Sequence, residues 1–320
     1  MRRPVLILLL VLAALAALPA GAHAFQIGMS DQKLGMWQDP RFERLGIRHV
    51  RLLVYYNLVL KGDFSRYDAW MRQAQARGDD VLLTINQHSS MSTRALPTPR
   101  QYRRVVRKLR ARYPWVRTWA AWNEANHKKQ PLFRKPRRAA QFYNVMRDEC
   151  RGCTIVAADV LDSSNMLPWL AKFKRYARHP RIWGLHSYTD TNHFKPLRAT
   201  STRALLRAVR GQVWLTETGG IVRFADRYHG GKRAERRAAR AVRRTFRVAA
   251  ISPRVKRVYL YHWDADRRFR TWDSAFVRAN GKARPALDVL RRELNRQRVR
   301  RAEPPLRRLS RYPRHKLPLS

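Results

Sequence analysis

Short apolar runs alternate with longer amphipathic stretches along most of the chain. The runs are Phe25–Met29, His49–Tyr55, Val81–Asn86, Val116–Asn123, Thr154–Val160, Ile182–Tyr188, Val213–Glu217 and Val255–Trp263. They are rich in Val, Ile, Leu, Tyr and Trp, as buried parallel strands are. Helical spacing of apolar positions marks Phe64–Arg77, Pro99–Arg112, Arg138–Asp148, Leu167–Ala177, Thr202–Arg210, Arg233–Ala249 and Ala283–Asn295, with a shorter piece near Asp39–Leu45. Regular strand–helix alternation predicts a parallel sheet in an α/β protein. Eight such units fit a closed (β/α)8 TIM barrel, whose usual size is ~250 residues. An open doubly wound sheet would carry a Gly-rich phosphate turn after an early strand. Gly219-Gly220 follows a late one and lacks the rest of that pattern. The expected organisation is one barrel domain over 25–297. A tail over 298–320, basic and Pro-containing, is expected to be disordered.

The first 24 residues do not belong to this pattern. Arg2 and Arg3 precede an apolar run from Val5 to Leu18, and Ala22-His23-Ala24 is a small-x-small cleavage site. This is the layout of a secretory signal peptide, 1–24. The run is short for a spanning helix, which needs ~20 apolar residues. An uncleaved anchor is the alternative; the mature chain from Phe25 carries no expected membrane span. Export implies an oxidising compartment. Cys150 and Cys153 are the chain's two cysteines. They follow a helical stretch and precede a strand, where a redox pair would open a helix. The expectation is a small disulfide tying a helix–strand loop.

Candidate chemistry follows from the barrel, because such folds place it at the C-terminal ends of the strands. Only 22 residues are Asp or Glu. Two Glu close apolar runs three barrel positions apart: Glu124 in Trp122-Asn123-Glu124 and Glu217 in Leu215-Thr216-Glu217. Opposed carboxylates are what glycosidic cleavage needs, one to protonate the leaving oxygen and one to attack or to activate water. His186 and Tyr188 are two apart and should share one strand face. The Tyr188 phenol could hydrogen-bond Glu217, and Arg51 could pair with it. His88 ends the third run as a supporting group, without an acid/base role. Trp263 ends the eighth as core or as a flat platform for a sugar ring. Asp31, Asp159, Asp162, Asp190 and His193 are scattered, so no metal and no cofactor is expected.

On these residues the chain resembles the clan A retaining glycoside hydrolases, over roughly Phe25 to Gln297. Asn123-Glu124 looks like the strand-four pair in which Glu is the acid/base and Asn contacts the sugar 2-hydroxyl. Glu217 matches the strand-seven nucleophile. The set Arg51, His88, Asn123, Glu124, His186, Tyr188, Glu217 and Trp263 is similar to the active site of family 5. The overall shape also resembles family 39 and related actinobacterial secreted enzymes, and Arg278–Pro285 looks like their loop before the last helix. The resemblance implies a retaining glycosidase with a carbohydrate substrate and no metal. Its Glu124 must hold a proton near neutral pH, so a raised pKa is expected there.

Charge widens the picture without deciding it. The formal net charge is +46, from 55 Arg and 13 Lys against those few acids. Such an imbalance suits electrostatic association with an anionic cell envelope. No groove-reading motif, aromatic RNA-binding pair or zinc finger points to a specific nucleic acid. Arg233–Arg247 spaces its arginines helically between Ala, Val and Phe, as the solvated face of an outer helix would. Two alternatives to the enzyme stand: a silent barrel that binds anionic envelope glycans, and a basic scaffold whose polyanion binding ignores the two Glu. Oligomeric state is not legible.

Overall fold

The computed structural model describes residues 24–88, 95–225, 227–266 and 271–302. The segment 1–24, expected to be a signal peptide, lies almost wholly outside these residues, as does the chain beyond Ala302. In chain order the first elements are β1 (Gln26–Ser30), α1 (Gly35–Gln38), α2 (Pro40–Leu45), β2 (His49–Tyr55), α3 (Tyr56–Lys61), α4 (Ser65–Ala76) and β3 (Asp80–Asn86). Next come α5 (Pro99–Arg112), β4 (Thr118–Ala120), α6 (Pro136–Glu149), β5 (Thr154–Val156), β6 (Asp159–Leu161), α7 (Met166–Lys174) and β7 (Ile182–His186). The chain continues with α8 (Tyr188–Asn192), α9 (Ser201–Ala208), β8 (Gln212–Thr218), β9 (Arg223–Phe224), β10 (Tyr228–His229), α10 (Gly231–Ala249), β11 (Val255–Tyr261), β12 (Trp272–Asp273) and α11 (Pro285–Ala302).

The main sheet runs β5-β4-β3-β2-β1-β11-β8-β7-β6, parallel at every pairing. Its two end strands are halves of the fifth apolar run. The first half pairs with β4 and the second with β7, so the break at Ala157-Ala158 is where the barrel closes. The fold is a (β/α)8 barrel, as the alternation predicts. The outer helices bury their periodic faces: α5 begins with a Thr98–Gln101 capping box and Pro99 in its first turn, and it packs Tyr102, Val105, Val106 and Leu109 inward. On α10, Arg233, Arg236, Arg240, Arg243 and Arg247 face solvent. Arg237 and Arg244, one heptad apart, turn inward instead. Arg244 is buried and donates to the carbonyls of Asp190 and Lys195, and Arg237 donates to that of Ile221. Cys150 and Cys153 are disulfide-bonded across the α6–β5 loop.

One end of the barrel interior is plugged by Leu82, Ala120, Val156, Trp214 and Tyr259. Arg257 lies over the Trp214 ring and pairs with Asp80. Toward the other end the interior turns polar. Gly184 makes room there: a Cβ at that position would stand 2.5 Å from the Asp159 carboxylate. The last helix extends past Asn295 to Ala302, and Arg278 and Arg284 before it clamp Glu235 of α10. Among the described residues no helix is long and apolar enough to cross a membrane.

Candidate active site

Arg51 is the centre of the polar end. It points from β2 into the barrel and is fully buried. Its Nη1 donates to Glu217 Oε2 at 2.7 Å, and its Nη2 to Asn123 Oδ1 at 2.7 Å and Asp159 Oδ2 at 3.0 Å. A buried guanidinium needs such partners, since unpaired it would cost several kcal/mol. Asp159 also accepts from Thr216 Oγ1 and lies 3.3 Å from His186 Nε2. Burial alone would raise the Asp159 pKa, but the two cations prevail and hold it at about 2.

Glu217 reaches this network through an irregularity of β8. Between Trp214 and Glu217 the strand spans three positions where β7 spans two, Gly184 to His186. Against β11 the same extra residue appears between Leu215 and Thr218. Strict alternation would send Thr216 and Glu217 to opposite faces. The bulge lets Thr216 meet Asp159 while Glu217 meets Arg51. The second Glu217 oxygen accepts from the Tyr188 hydroxyl at 3.0 Å. Burial and the Glu217 charge push the Tyr188 pKa well above 10, so the phenol stays protonated and donates.

Glu124 stands across the cleft, just beyond β4, in a turn closed by His127 N–H donating to the Glu124 carbonyl. Its φ is +44°, a left-handed conformation that non-glycine residues seldom adopt. Strain of this kind costs ~1–3 kcal/mol and persists where surrounding structure fixes it. Here the Asn123 N–H bonds the Ile85 carbonyl and the Ala125 N–H that of Asp159, pinning both sides of the turn. His186 Nδ1 lies 3.0 Å from Glu124 Oε1. Burial works against charge on His186, yet Asp159 and Glu217 outweigh it and raise its pKa to about 10. His186 is therefore an imidazolium at neutral pH, donating to Asp159 and Glu124.

That corrects the expectation for Glu124. Burial would raise its pKa, but the hydrogen bond and charge of His186 prevail and lower it. The proton expected on Glu124 sits instead on its hydrogen-bond partner.

The structure brings together Arg51, Asn123, Glu124, His186, Tyr188 and Glu217. His88 stands farther along the rim, edge-on to Tyr55 at 4.9 Å between ring centroids. Tyr188 is not on the strand face expected for it: β7 ends at His186 and Tyr188 opens α8, from which it still reaches Glu217. Trp263 is no platform. It is 1% exposed, packed between Phe42 and Phe276, with its indole N–H on Asp39. The aromatic surface beside Glu217 comes from Trp272, which meets Tyr188 edge-on at 4.8 Å and Phe224 at 5.0 Å. It sits on the small antiparallel sheet β10-β9-β12, a feature too short to leave a period in the sequence. Asp159 was also missed, though a charge inside the apolar run Thr154–Val160 signals a buried, paired group.

Glu124, His186 and Glu217 each offer a ligand atom within 4.8 Å of the others, the spacing of a cation site. A metal there would have to displace the His186 proton and compete with the Arg51 guanidinium 2.7 Å from Glu217. The donor set suits a proton-transfer pair better than a metal.

No protein-family model and no curated protein matches the chain. Solved structures do. Xylanase 10B from Thermotoga maritima superposes with a TM-score of 0.63 at 12% identity, covering 86% of this chain and 96% of the xylanase. This chain shares their fold. GH5_18 from Streptomyces cattleya, solved with GlcNAc, gives 0.59 at 16% identity, covering 89% and 82%. A family 39 glycoside hydrolase from Bacteroides cellulosilyticus WH2 gives 0.56 at 13%, covering 84% and 63%. At these identities the likeness establishes the barrel; chemistry has to be argued from the side chains.

Proposed function

We propose that this protein is an exported retaining glycoside hydrolase acting on a poly- or oligosaccharide, with Glu217 as nucleophile and Glu124 as acid/base. The observation that carries the reading is the spacing of the two carboxylates. An oxygen of Glu124 and one of Glu217 lie within 4.8 Å of each other. Retention works with carboxyl groups ~5–5.5 Å apart, whereas inversion needs ~6.5–9.5 Å to admit a water. The glycoside hydrolases of the same fold support the reading.

In the first step a Glu217 oxygen bonds to the anomeric carbon as the glycosidic C–O bond breaks. The bonding pair goes to the leaving oxygen, which takes a proton from Glu124. In the free protein that proton is on His186 Nδ1, one 3.0 Å hydrogen bond from Glu124 Oε1. The negative charge of Glu217 is one of the two that hold it there. As Glu217 spends its charge on the new bond, His186 becomes a weaker base and releases the proton through Glu124. In the second step Glu124 draws a proton from water, whose oxygen displaces Glu217, and the proton returns to His186. Arg51 and Tyr188 hold Glu217 in line for attack.

Export is part of the proposal. It rests on the charged, apolar and small-x-small segments before Phe25 and on the disulfide between Cys150 and Cys153.

The test is Glu124→Ala on a series of aryl glycosides. A leaving group that needs no protonation should keep near-normal formation of the glycosyl-enzyme, while poor leaving groups lose about a hundredfold or more. Uniform loss across the series would remove Glu124 from the acid role.

A further inference from the structure

A groove of about 1080 Å³ opens between the N-terminal part of α6 and the length of α7, from Asn165 to Tyr176. Arg134, Lys135, Arg137, Arg138, Lys172 and Arg175 line it, and among the described residues none of its lining is acidic. Some arginines outside the groove are committed to partners, while those on the outer face of α10 stand in solvent. Arg254 is spent on three backbone carbonyls, Arg110 on one, and Arg103 and Arg107 on Glu149. In the groove Arg138 is likewise committed, to Gln141 and the Pro97 carbonyl. Arg134, Lys135, Lys172 and Arg175 have no ion pair or hydrogen bond from their side chains among the described residues. α6 begins here without a side-chain cap, so its positive end adds to the field.

The floor is not polar. Phe133, Pro168 and Tyr176 contribute to it over the buried Trp169, and Tyr176 is 47% exposed, with the Arg137 guanidinium 5.2 Å from its ring centre on one face. An exposed tyrosine and apolar floor residues interleaved with cations match a chain of sugar rings bearing carboxylates. A ring presents C–H groups to an aromatic face while its carboxylate meets Arg at the edge. A polyol phosphate has the charges without the rings.

The groove is tied to the acid/base. Phe133 to Lys135 lie on the segment leading from Glu124 to α6. Asn165, in the groove wall, donates to the Asn126 carbonyl at 2.9 Å, and Asn126 is two residues from Glu124. Because Glu124 protonates the leaving oxygen, whatever lies beyond it holds the leaving-group part of the substrate. Resting on the hydrolase reading, we infer that the substrate is an acidic polysaccharide of the polyuronate class, its leaving-group side seated in this groove.

The experiment measures binding of polygalacturonate fragments to full-length protein carrying Glu217→Gln, so that turnover does not enter. Arg134→Glu/Lys172→Glu/Arg175→Glu reverses three groove charges. Arg233→Glu/Arg236→Glu/Arg240→Glu reverses three on the outer face of α10, as a match for net charge. The groove triple should weaken binding about tenfold or more and the α10 triple less than about threefold, because screening confines the effect to nearby charges. Methyl-esterified fragments, with the same rings and no charge, should bind weakly to all three proteins. Equal losses in the two triples would overturn the groove. Poly(glycerol phosphate) or a DNA oligonucleotide bound as tightly as polygalacturonate would overturn the sugar assignment. Groove-dependent binding in a protein that cleaves no glycoside refutes the hydrolase reading alone. Cleavage with binding indifferent to the groove refutes the groove alone.

Discussion

The two ends of the barrel each carry a carboxylate between an arginine and a histidine. At the plugged end Asp80 takes Arg257 and His49; at the cleft end Asp159 takes Arg51 and His186. Both carboxyls are held at about 2 against burial, Asp80 by the His49 hydrogen bond and the Arg257 charge, Asp159 by its two cations. The sites differ in what is left over. Asp80 is 30% exposed and its cluster meets the Tyr259 hydroxyl through Arg257. Asp159 is fully buried, and its two cations face two further carboxylates, Glu124 and Glu217. One cluster closes a barrel end; the other has surplus anions aimed at a cleft. The same residue types thus make a structural plug or a candidate reactive centre, according to whether their charges are all consumed locally.

The widest separation between the ends should appear in turnover. Glu217→Gln should lower it at least about a thousandfold, some 4 kcal/mol of barrier at ~1.36 kcal/mol per decade. Asp80→Asn should leave steady-state rates within a few-fold. Activity in Glu217→Gln close to that of the unaltered protein would end the nucleophile assignment.

Stability should separate them next. Asp159→Asn strips the buried Arg51 guanidinium of one of its two anions and the His186 imidazolium of one of its own, and should cost ~3–5 kcal/mol in urea unfolding. Asp80→Asn, at a partly exposed site, should cost about 1 kcal/mol. Equal costs would mean that burial does not set the difference.

Titration sharpens the contrast. The pKa of Asp159 and that of Asp80 lie below the ordinary 3.8, so each contributes stability above that value that is lost as pH falls toward about 2. His186 is raised from 6.5 to about 10, so its contribution is fully present below 6.5 and is lost as pH rises through about 10. Unfolding free energies measured between about pH 7 and 10 should fall in the unaltered protein and flatten in His186→Asn. An unchanged slope in that variant would deny the proton to His186.

The smallest effect concerns Trp272. Trp272→Ala should raise KM several-fold at nearly constant kcat, since stacking contributes ~0.5–1.5 kcal/mol. A kcat loss as large as that of Glu217→Gln would instead mean that Trp272 supports Tyr188 rather than substrate.

Much of this molecule is set by periodicity. Apolar runs of strand length separated by amphipathic helices demand a parallel sheet, and their number closes it into a barrel. β2 and α5 fall at the boundaries that the pattern marks, because their apolar faces are unambiguous. The candidate carboxylates were legible for the same reason: a polar residue closing an apolar run in a barrel faces the cleft end. What the pattern could not carry is geometry that breaks its own period. The β8 bulge turns Thr216 and Glu217 to the same network, where alternation puts them on opposite faces. Trp263 and Trp272 are equally aromatic in sequence, yet only packing sends one into the core and the other to the cleft. The location of the proton shared by Glu124 and His186 lies furthest from the sequence. It depends on Asp159, Glu217 and Glu124 converging on one imidazole, and electrostatic energy depends on distances in space that spacing along the chain does not encode.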